Sequence, residues 1–340
     1  MKRPLFAALS VLICTGVSAA QPVTPQNFTR AETDRYFADI QQKAAAQAGH
    51  GSGINQFFYI RTIPKAGDRT IVRMNNDTLY GGVVVDTRGG ATLTIPKMPD
   101  GRYASALILD NDHYAPEVFY TSGMHKLPER TRYLMVAIRI QVFDPKDEAE
   151  IKMVNGLQDK FKVNAHSSVP FKSPGWDQNQ LNMQRKAFEE QFSRFQRYPD
   201  DWQGPRGKVN EKTRAYAAAG AWGLFPNKDA TYINYNAHLP ANKCYTATYQ
   251  VPPNKAFWSI TVYDKEGFTD SANSFLNRSN TRLNSDGTFT AYFGSEQACG
   301  NKQNRVDIPD GWNFLMRIYR PGKSVLTGEY KLPDVMEVKL

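Results

Sequence analysis

Histidine and cysteine are scarce in this 340-residue chain, with five and three respectively, and no apolar run beyond the first twenty residues is long enough to cross a bilayer. The short signatures of common catalytic centres are also missing: there is no G-x-S-x-G, H-E-x-x-H, Walker loop, G-x-G-x-x-G or cysteine–histidine metal spacing. Nucleotide-binding and zinc-hydrolase readings lose their main support with them. Nor is there a run of Lys and Arg or a basic ladder interleaved with aromatics, so a net charge of +9 describes a solvated surface and argues against a nucleic-acid partner. What is present is apolar material in quantity, 41% hydrophobic and 12% aromatic, which excludes disorder and suits one large or two smaller domains.

The chain opens with the three parts of an export signal. Lys2 and Arg3 are followed by an apolar stretch from Pro4 to Val17 and by the small residues Ser18, Ala19 and Ala20. This stretch falls short of the ~20 residues of a membrane span, so residues 1–20 are expected to be a signal peptide and the protein to be periplasmic or secreted, with no transmembrane span. Setting the signal aside removes Cys14 and leaves Cys244 and Cys299, which in an oxidising compartment are expected to form one disulfide.

Periodicity divides the remainder. Thr29-Arg30-Ala31-Glu32 has the form of a capping box, and the helical spacing of Tyr36, Phe37, Ile40, Ala44 and Ala48 predicts a helix over 30–48 within an N-terminal segment of residues 21–54. Short strand-like runs follow within 55–165: Phe57 to Thr62, Thr70 to Met74, Gly82 to Asp86, Ala91 to Ile95, Arg102 to Leu109 and Arg132 to Val142. Turn sequences such as Pro99-Asp100-Gly101 separate them, as in antiparallel sheets. Residues 166–227 read as a helical insert, with Leu181, Phe188, Phe192 and Phe195 on one stripe, Glu190 one turn before Arg194, and a second helix over Lys212 to Trp222. Alternation returns in 228–340: Trp258, Ile260 and Val262 oppose Ser259, Thr261 and Tyr263, while Phe314, Met316 and Ile318 oppose Leu315, Arg317 and Tyr319. The expected architecture is mainly β, two sandwiches joined through helices.

Two constellations carry chemistry in the first β block. Arg73-Met74-Asn75-Asn76-Asp77-Thr78-Leu79-Tyr80 places a guanidinium, amides, a carboxylate and a phenol within eight residues, a set able to orient an anion, or else an Asx turn capped by Asn75 or Asp77. Asp110-Asn111-Asp112-His113-Tyr114 follows an apolar strand and offers oxygen and imidazole groups for acid–base work or a divalent metal, although ordinary loop composition is the favoured reading and no cofactor is identified. In the last block, Arg317 and Tyr319 can line a groove, and Trp258 sorts with the core.

These residues resemble a known pattern. Arg73-x-Asn75-x-Asp77-Thr78-Leu79-Tyr80, Thr94-Ile95-Pro96, Gly101-Arg102-Tyr103 and Arg139 are similar to the domain-of-unknown-function family 1254. Tyr245-Thr246, Phe257 to Asp264, Asn277-Arg278, Asp286-Gly287, Arg317-Ile318-Tyr319-x-Pro321 and Gly328 resemble its C-terminal partner, family 1214. The resemblance implies an Ig-like β-sandwich, a helical insert and a jelly-roll-like second sandwich, and no established activity. One departure is the segment Asn304-Arg305-Val306-Asp307-Ile308-Pro309, where relatives carry Asn-Trp-Leu-Pro.

Three functions are compatible with these features. The first is an exported accessory that binds a small polar, anionic or carbohydrate-like ligand, or an envelope polymer, between the β domains through Arg73, Asn75, Asp77, Tyr80, Arg317 and Tyr319. The second is a hydrolase or lyase with Asp77 and Asp110 or His113 as acid and base. The third is a structural module that assembles as a homo-oligomer.

Overall fold

Alternating apolar and polar positions carry the architecture of the computed structural model, which describes residues 19–69, 72–236 and 238–339. The expected signal peptide lies outside the described residues except for Ala19 and Ala20. With 27% strand and 19% helix the protein is mainly β. In chain order the first half comprises α1 (Phe28–Ala48), β1 (Phe58–Tyr59), β2 (Thr78–Asp86), β3 (Ala91–Ile95), β4 (Ala104–Asp110), β5 (Glu117–Phe119), β6 (Gly123–Lys126), β7 (Tyr133–Gln141), α2 (Glu148–Gln158) and β8 (Lys162–Ala165). Two helices follow, α3 (Gln178–Phe192) and α4 (Arg214–Gly220). The last third holds β9 (Ala230–Asn236), β10 (Tyr245–Tyr249), β11 (Trp258–Tyr263), β12 (Phe275–Asn277), β13 (Phe289–Phe293), α5 (Glu296–Cys299), β14 (Arg305–Val306), β15 (Asn313–Tyr319), α6 (Lys323–Leu326) and β16 (Met336–Glu337).

The first half forms a sandwich of a five-stranded sheet, β1-β2-β7-β4-β5, and a three-stranded one, β6-β3-β8. Its core is made by one face of each strand: Leu79, Val83 and Val85 from β2, Leu93 from β3, Ile108 from β4, and Leu134, Val136, Ile138 and Ile140 from β7. The last third pairs two four-stranded sheets, β12-β11-β15-β9 and β14-β13-β10-β16, over a core that includes Trp258, Ile260, Val262, Phe314, Met316 and Ile318. Each such large apolar side chain contributes about 1.5–3 kcal/mol by leaving water. Cys244 and Cys299 are joined as expected, closing a loop across 55 positions. Such a closure is worth roughly 4 kcal/mol in the chain-entropy account.

The alternate faces do not meet water. Val84 of β2, Tyr103 just before β4, Leu107 of β4 and Met135 of β7 share one apolar cluster with Tyr232 of β9, Tyr263 of β11, and Leu315 and Tyr319 of β15. The two sandwiches therefore pack through the very faces that alternation marks as the more polar ones, with α1, α3 and α4 filling the flank through Phe37, Phe192 and Ala217. Gly220 allows this fit, because a Cβ there would sit 2.3 Å from the Phe192 ring.

Several local expectations are corrected. Helix α1 starts at Phe28 after Asn27, and no side chain caps it; Glu32 instead pairs with Arg35 and Arg185, since a buried carboxylate gains more from two guanidiniums than from a backbone N–H. The run Phe57 to Thr62 keeps only Phe58–Tyr59 as strand. Of Thr70 to Met74, Thr70 and Ile71 lie outside the described residues and the rest is turn and loop. Helix α3 stops at Phe192, so Phe195 and Arg194 lie beyond it and the Glu190–Arg194 turn pairing does not form. Among the described residues no helix is long and apolar enough to cross a membrane.

Candidate functional site

Strand register places arginines on the two facing sheets. Arg139 of β7 sits directly opposite Tyr80 of β2, and Arg317 of β15 lies between Tyr232 of β9 and Ser259 of β11. Arg73 joins them from the loop before β2, where its backbone holds a left-handed φ of 55° and its N–H donates to Gly267 O at 2.8 Å. Such a φ is uncommon for a residue with a Cβ. The three arginines line an open chamber of about 140 Å³ together with Tyr80, Tyr198 and Tyr232, and the rest of its wall includes Val72, Phe192, the Gly220–Leu224 turn and Leu315. An adjoining cleft of about 330 Å³ shares Val72, Arg73, Phe192 and Tyr198 with the chamber and adds Glu189, Phe195, Asn234 and Asn236.

Among the described residues, neutral groups supply every hydrogen bond that these guanidiniums make. Arg317, 4% exposed, donates to Thr261 Oγ1 at 3.2 Å, Tyr263 Oη at 2.7 Å and Arg73 O at 2.6 Å. Arg73 Nη1 is buried without a partner, and its guanidinium lies 5.4 Å from the Tyr263 ring centre. Among the described residues Arg139 makes no hydrogen bond or ion pair; its guanidinium sits 4.4 Å from the ring centre of Phe225 and 5.1 Å from that of Tyr80. Guanidinium over an aromatic face is worth ~0.5–2 kcal/mol, whereas taking an ion out of water costs several kcal/mol after relaxation. Arg73 and Arg139 are half-buried, so this cost falls in full on Arg317 alone. Arginine does not escape by losing its proton, so the chamber holds positive charge in want of an anion.

The Asn75 amide ties the walls together. Its Nδ2 donates to Tyr80 Oη at 2.7 Å and Tyr319 Oη at 3.0 Å, linking the two sandwiches, while its Oδ1 accepts from the N–H groups of Asp77 and Thr78 at 3.1 Å. The Asx-turn reading and the polar-cluster reading of this segment thus describe one side chain. Asp77 is fully buried, accepts from Asn277 Nδ2 at 2.9 Å, and has Oδ2 without a hydrogen-bond partner. Burial pushes its carboxyl above the ordinary range, opposed by the nearby Ser259 hydroxyl, by Asn277 and by the charge of Arg317; the Ser259 contact falls short of a well-formed hydrogen bond. Burial likewise raises Tyr319 and Tyr263, which stay protonated donors.

Asp110 and His113 are elsewhere. Thr78, next to Asp77, pairs with Gln141, while Asp110 pairs with Leu134 at the opposite end of β7. Seven residues at ~3.3 Å each separate the two positions by about 23 Å, so Asp77 and Asp110 form no carboxylate pair. Asp110 closes a turn instead, its Oδ1 accepting from the N–H groups of Asp112 at 3.0 Å and Tyr114 at 2.9 Å. His113 is fully buried with Nε2 accepting from Gly223 N–H at 3.1 Å, and burial together with Arg214 lowers its pKa to about 3. Its Nδ1 is buried without a hydrogen-bond partner, and burial more than the charged neighbour Arg214 keeps the imidazole neutral. Asp112 is engaged by Arg30 and Arg206, and among the described residues no set of three or more His, Cys, Asp or Glu side chains is placed to hold a metal ion.

Of the residues singled out from sequence, the structure gathers Arg73, Asn75, Asp77, Tyr80, Arg317 and Tyr319 around one interface. Arg139 and Tyr232 complete the chamber wall and were not among the candidate ligand residues. The signal for Arg139 was available: it is the one charge within Tyr133–Gln141, on the face that alternates with four large apolar residues.

The comparisons with known proteins follow this division. Residues 54–115 match the family model described as Protein of unknown function (DUF1254), and residues 230–323 match the one described as Protein of unknown function (DUF1214). The chain carries both parts of the two-domain family, in the expected order. A crystal structure of the VPA0106 protein from Vibrio parahaemolyticus is similar at a TM-score of 0.68 and 16% identity, covering 93% of this chain and 98% of that one. A putative uncharacterized protein from Burkholderia cenocepacia is similar at 0.54 and 13%, covering 92% and 88%. At these identities the likeness is one of fold. No curated protein matches the sequence.

Proposed function

We propose that this two-domain chain is an exported protein that binds a small organic anion in the chamber between its sandwiches, as a periplasmic or secreted accessory. One observation carries the reading: Arg73, Arg139 and Arg317 line an open cleft in which no carboxylate forms an ion pair with any of them among the described residues. Paired phenols and the Asn75 amide supply oriented hydrogen-bonding groups beside them. The signal-like residues 1–20 and the Cys244–Cys299 disulfide support the compartment. The acid–base alternative needs Asp77 beside Asp110 or His113, and these lie at opposite ends of β7.

Native mass spectrometry of the protein purified from an exporting host tests the reading. The expected spectrum has the mass of a chain cleaved after Ala19 or Ala20, plus one small anionic adduct that disappears in Arg139→Met. An adduct that persists unchanged in that variant would remove the chamber as the site.

A further inference from the structure

We infer that the two β domains are two copies of one unit, and that the face joining them is a self-complementary surface on which each domain receives a second copy of itself, a symmetric dimer fused into one chain. Strand order carries the first step. In the first domain the sheets run β2-β7-β4-β5 and β6-β3-β8; in the second they run β9-β15-β11-β12 and β13-β10-β16, strand for strand in the same chain order and all antiparallel, with β1 and β14 as additions. Sandwiches have few topologies to choose from, so this alone would not suffice. Residues at matching register decide it. Tyr80, Arg139 and Ser105 lie side by side across β2, β7 and β4, and Tyr232, Arg317 and Ser259 across β9, β15 and β11, each at the same distance from its strand's start or end. Asn75-x-Asp77-x-x-Tyr80 recurs as Asn227-x-Asp229-x-x-Tyr232. Equal turns follow β4 and β11: Asp110 Oδ1 accepts from the N–H groups of Asp112 and Tyr114, Asp264 Oδ1 from those of Glu266 and Phe268, and His113 and Gly267 share a left-handed φ, 65° and 92°. Folding does not ask for an arginine between two sandwiches, so its repetition at one register marks common descent.

The contacts between the copies are reciprocal, which is the mark of a two-fold interface. Asn277, opposite Ser259, donates to Asp77 Oδ1 at 2.9 Å; its counterpart Tyr120, next along from the Ala106–Phe119 pair, donates to Asp229 Oδ1 at 2.8 Å. Arg73 N–H meets Gly267 O at 2.8 Å in the Asp264 turn, and Gly223 N–H meets His113 Nε2 at 3.1 Å in the Asp110 turn. Arg317 reaches Arg73, seven residues before Tyr80, and Arg139 reaches Phe225, seven before Tyr232. Tyr103 and Phe257, two residues before the paired serines, touch each other with ring centres 5.5 Å apart, as counterparts on an axis do. Asp229 is thereby a second interdomain clasp, the counterpart of Asp77, both of them buried with Oδ2 unpaired. The cleft stands between the two Tyr–Arg pairs, and Arg73 is the arginine that the second copy does not repeat.

Hydrogen exchange of the oxidised mature protein at pH 7, read peptide by peptide by mass spectrometry, tests the surface. Asp77→Ala strands Asn277 in the second domain and should speed exchange around Asn277 and Gly267 by about fivefold, the equivalent of one lost hydrogen bond. Asp229→Ala strands Tyr120 in the first domain and should speed exchange around Tyr120 and His113 by the same factor, with β7 and β15 keeping wild-type protection in both variants. Tyr120→Phe removes one hydroxyl and leaves both carboxyls in place, so it decides the matter if an alanine variant does not fold; it should speed exchange around Asp229 and Gly223, again across the interface. Faster exchange across the interface from only one of the two clasps, from neither, or confined to the domain that carries the substitution would overturn the self-complementary surface.

Discussion

The two ends of the five-stranded sheet use the same residue types to opposite effect. At the end where β4 finishes, acids and bases are matched: buried Asp34 accepts from Arg30 at 2.9 Å, Asn111 at 2.7 Å and Trp176 at 2.9 Å, while Asp112 takes Arg30 and Arg206, and Glu211 takes Arg214 and Tyr114. At the end where β2 begins, Arg73, Arg139 and Arg317 have neutral partners or none. A satisfied network holds helices to a sheet; an unsatisfied one stores an affinity for something the chain does not contain. Polar clustering alone does not separate the two cases, and partner counting does.

The sharpest contrast should come from Asp34→Ala. Losing that carboxylate leaves Asn111 and Trp176 without an acceptor, while Arg30 keeps Asp112, and should cost about 3 kcal/mol, read by chemical denaturation, while anion binding by the folded fraction stays at the wild-type value. A loss of binding with little loss of stability would break the comparison.

His113 gives the next largest effect, through pH. Its folded pKa of about 3 lies below the unfolded value, so its contribution to stability is complete above the unfolded pKa and is lost as pH falls from about 6.5 toward 3. At pH 5 this amounts to about 2 kcal/mol at ~1.4 kcal/mol per unit. His113→Asn, in which the new side chain tolerates the φ of 65°, should flatten that part of the stability–pH curve. An unchanged slope in the variant would show that His113 is not kept neutral.

How far the sequence foretold these ends depends on the range of the interaction. Period-2 alternation over Trp258–Tyr263 and Asn313–Tyr319 separated core from interface residues, because it depends only on the backbone pleat. The disulfide was legible because two cysteines have one pairing. The distance between Asp77 and Asp110 was not, since it depends on β2 and β4 both pairing with β7, and register is a property of three strands together. Nor was the difference between Asp34 and Arg139: an ion pair such as that of Glu32 with Arg185 spans 153 positions, and no local pattern announces whether a charge will meet one. Arg139 was visible as a motif residue and unreadable as an unpaired one. The capping box failed for a related reason, its Glu32 being claimed by α3.

A smaller effect is expected at Asp77. Its raised folded pKa means that stability from this group is present below the unfolded value and lost as pH rises through the folded one. Asp77→Asn removes that loss and keeps an oxygen to accept from Asn277, so it should stabilise at pH 7, with the advantage fading as pH approaches 4. A variant less stable than wild type at pH 7 would mean that Arg317 holds Asp77 ionised and that the chamber carries one cation fewer.

Arg139 carries the central claim, and the thermal melt of ligand-free Arg139→Met at pH 7 tests it most directly. A half-buried cation with no anion beside it among the described residues is replaced here by a side chain of similar length that packs against Tyr80 and Phe225. The melting temperature should equal or exceed that of the wild type, by up to the equivalent of about 1 kcal/mol. A fall equivalent to about 3 kcal/mol or more, the cost of breaking a buried ion pair, would contradict the account and make Arg139 a structural support of the interface.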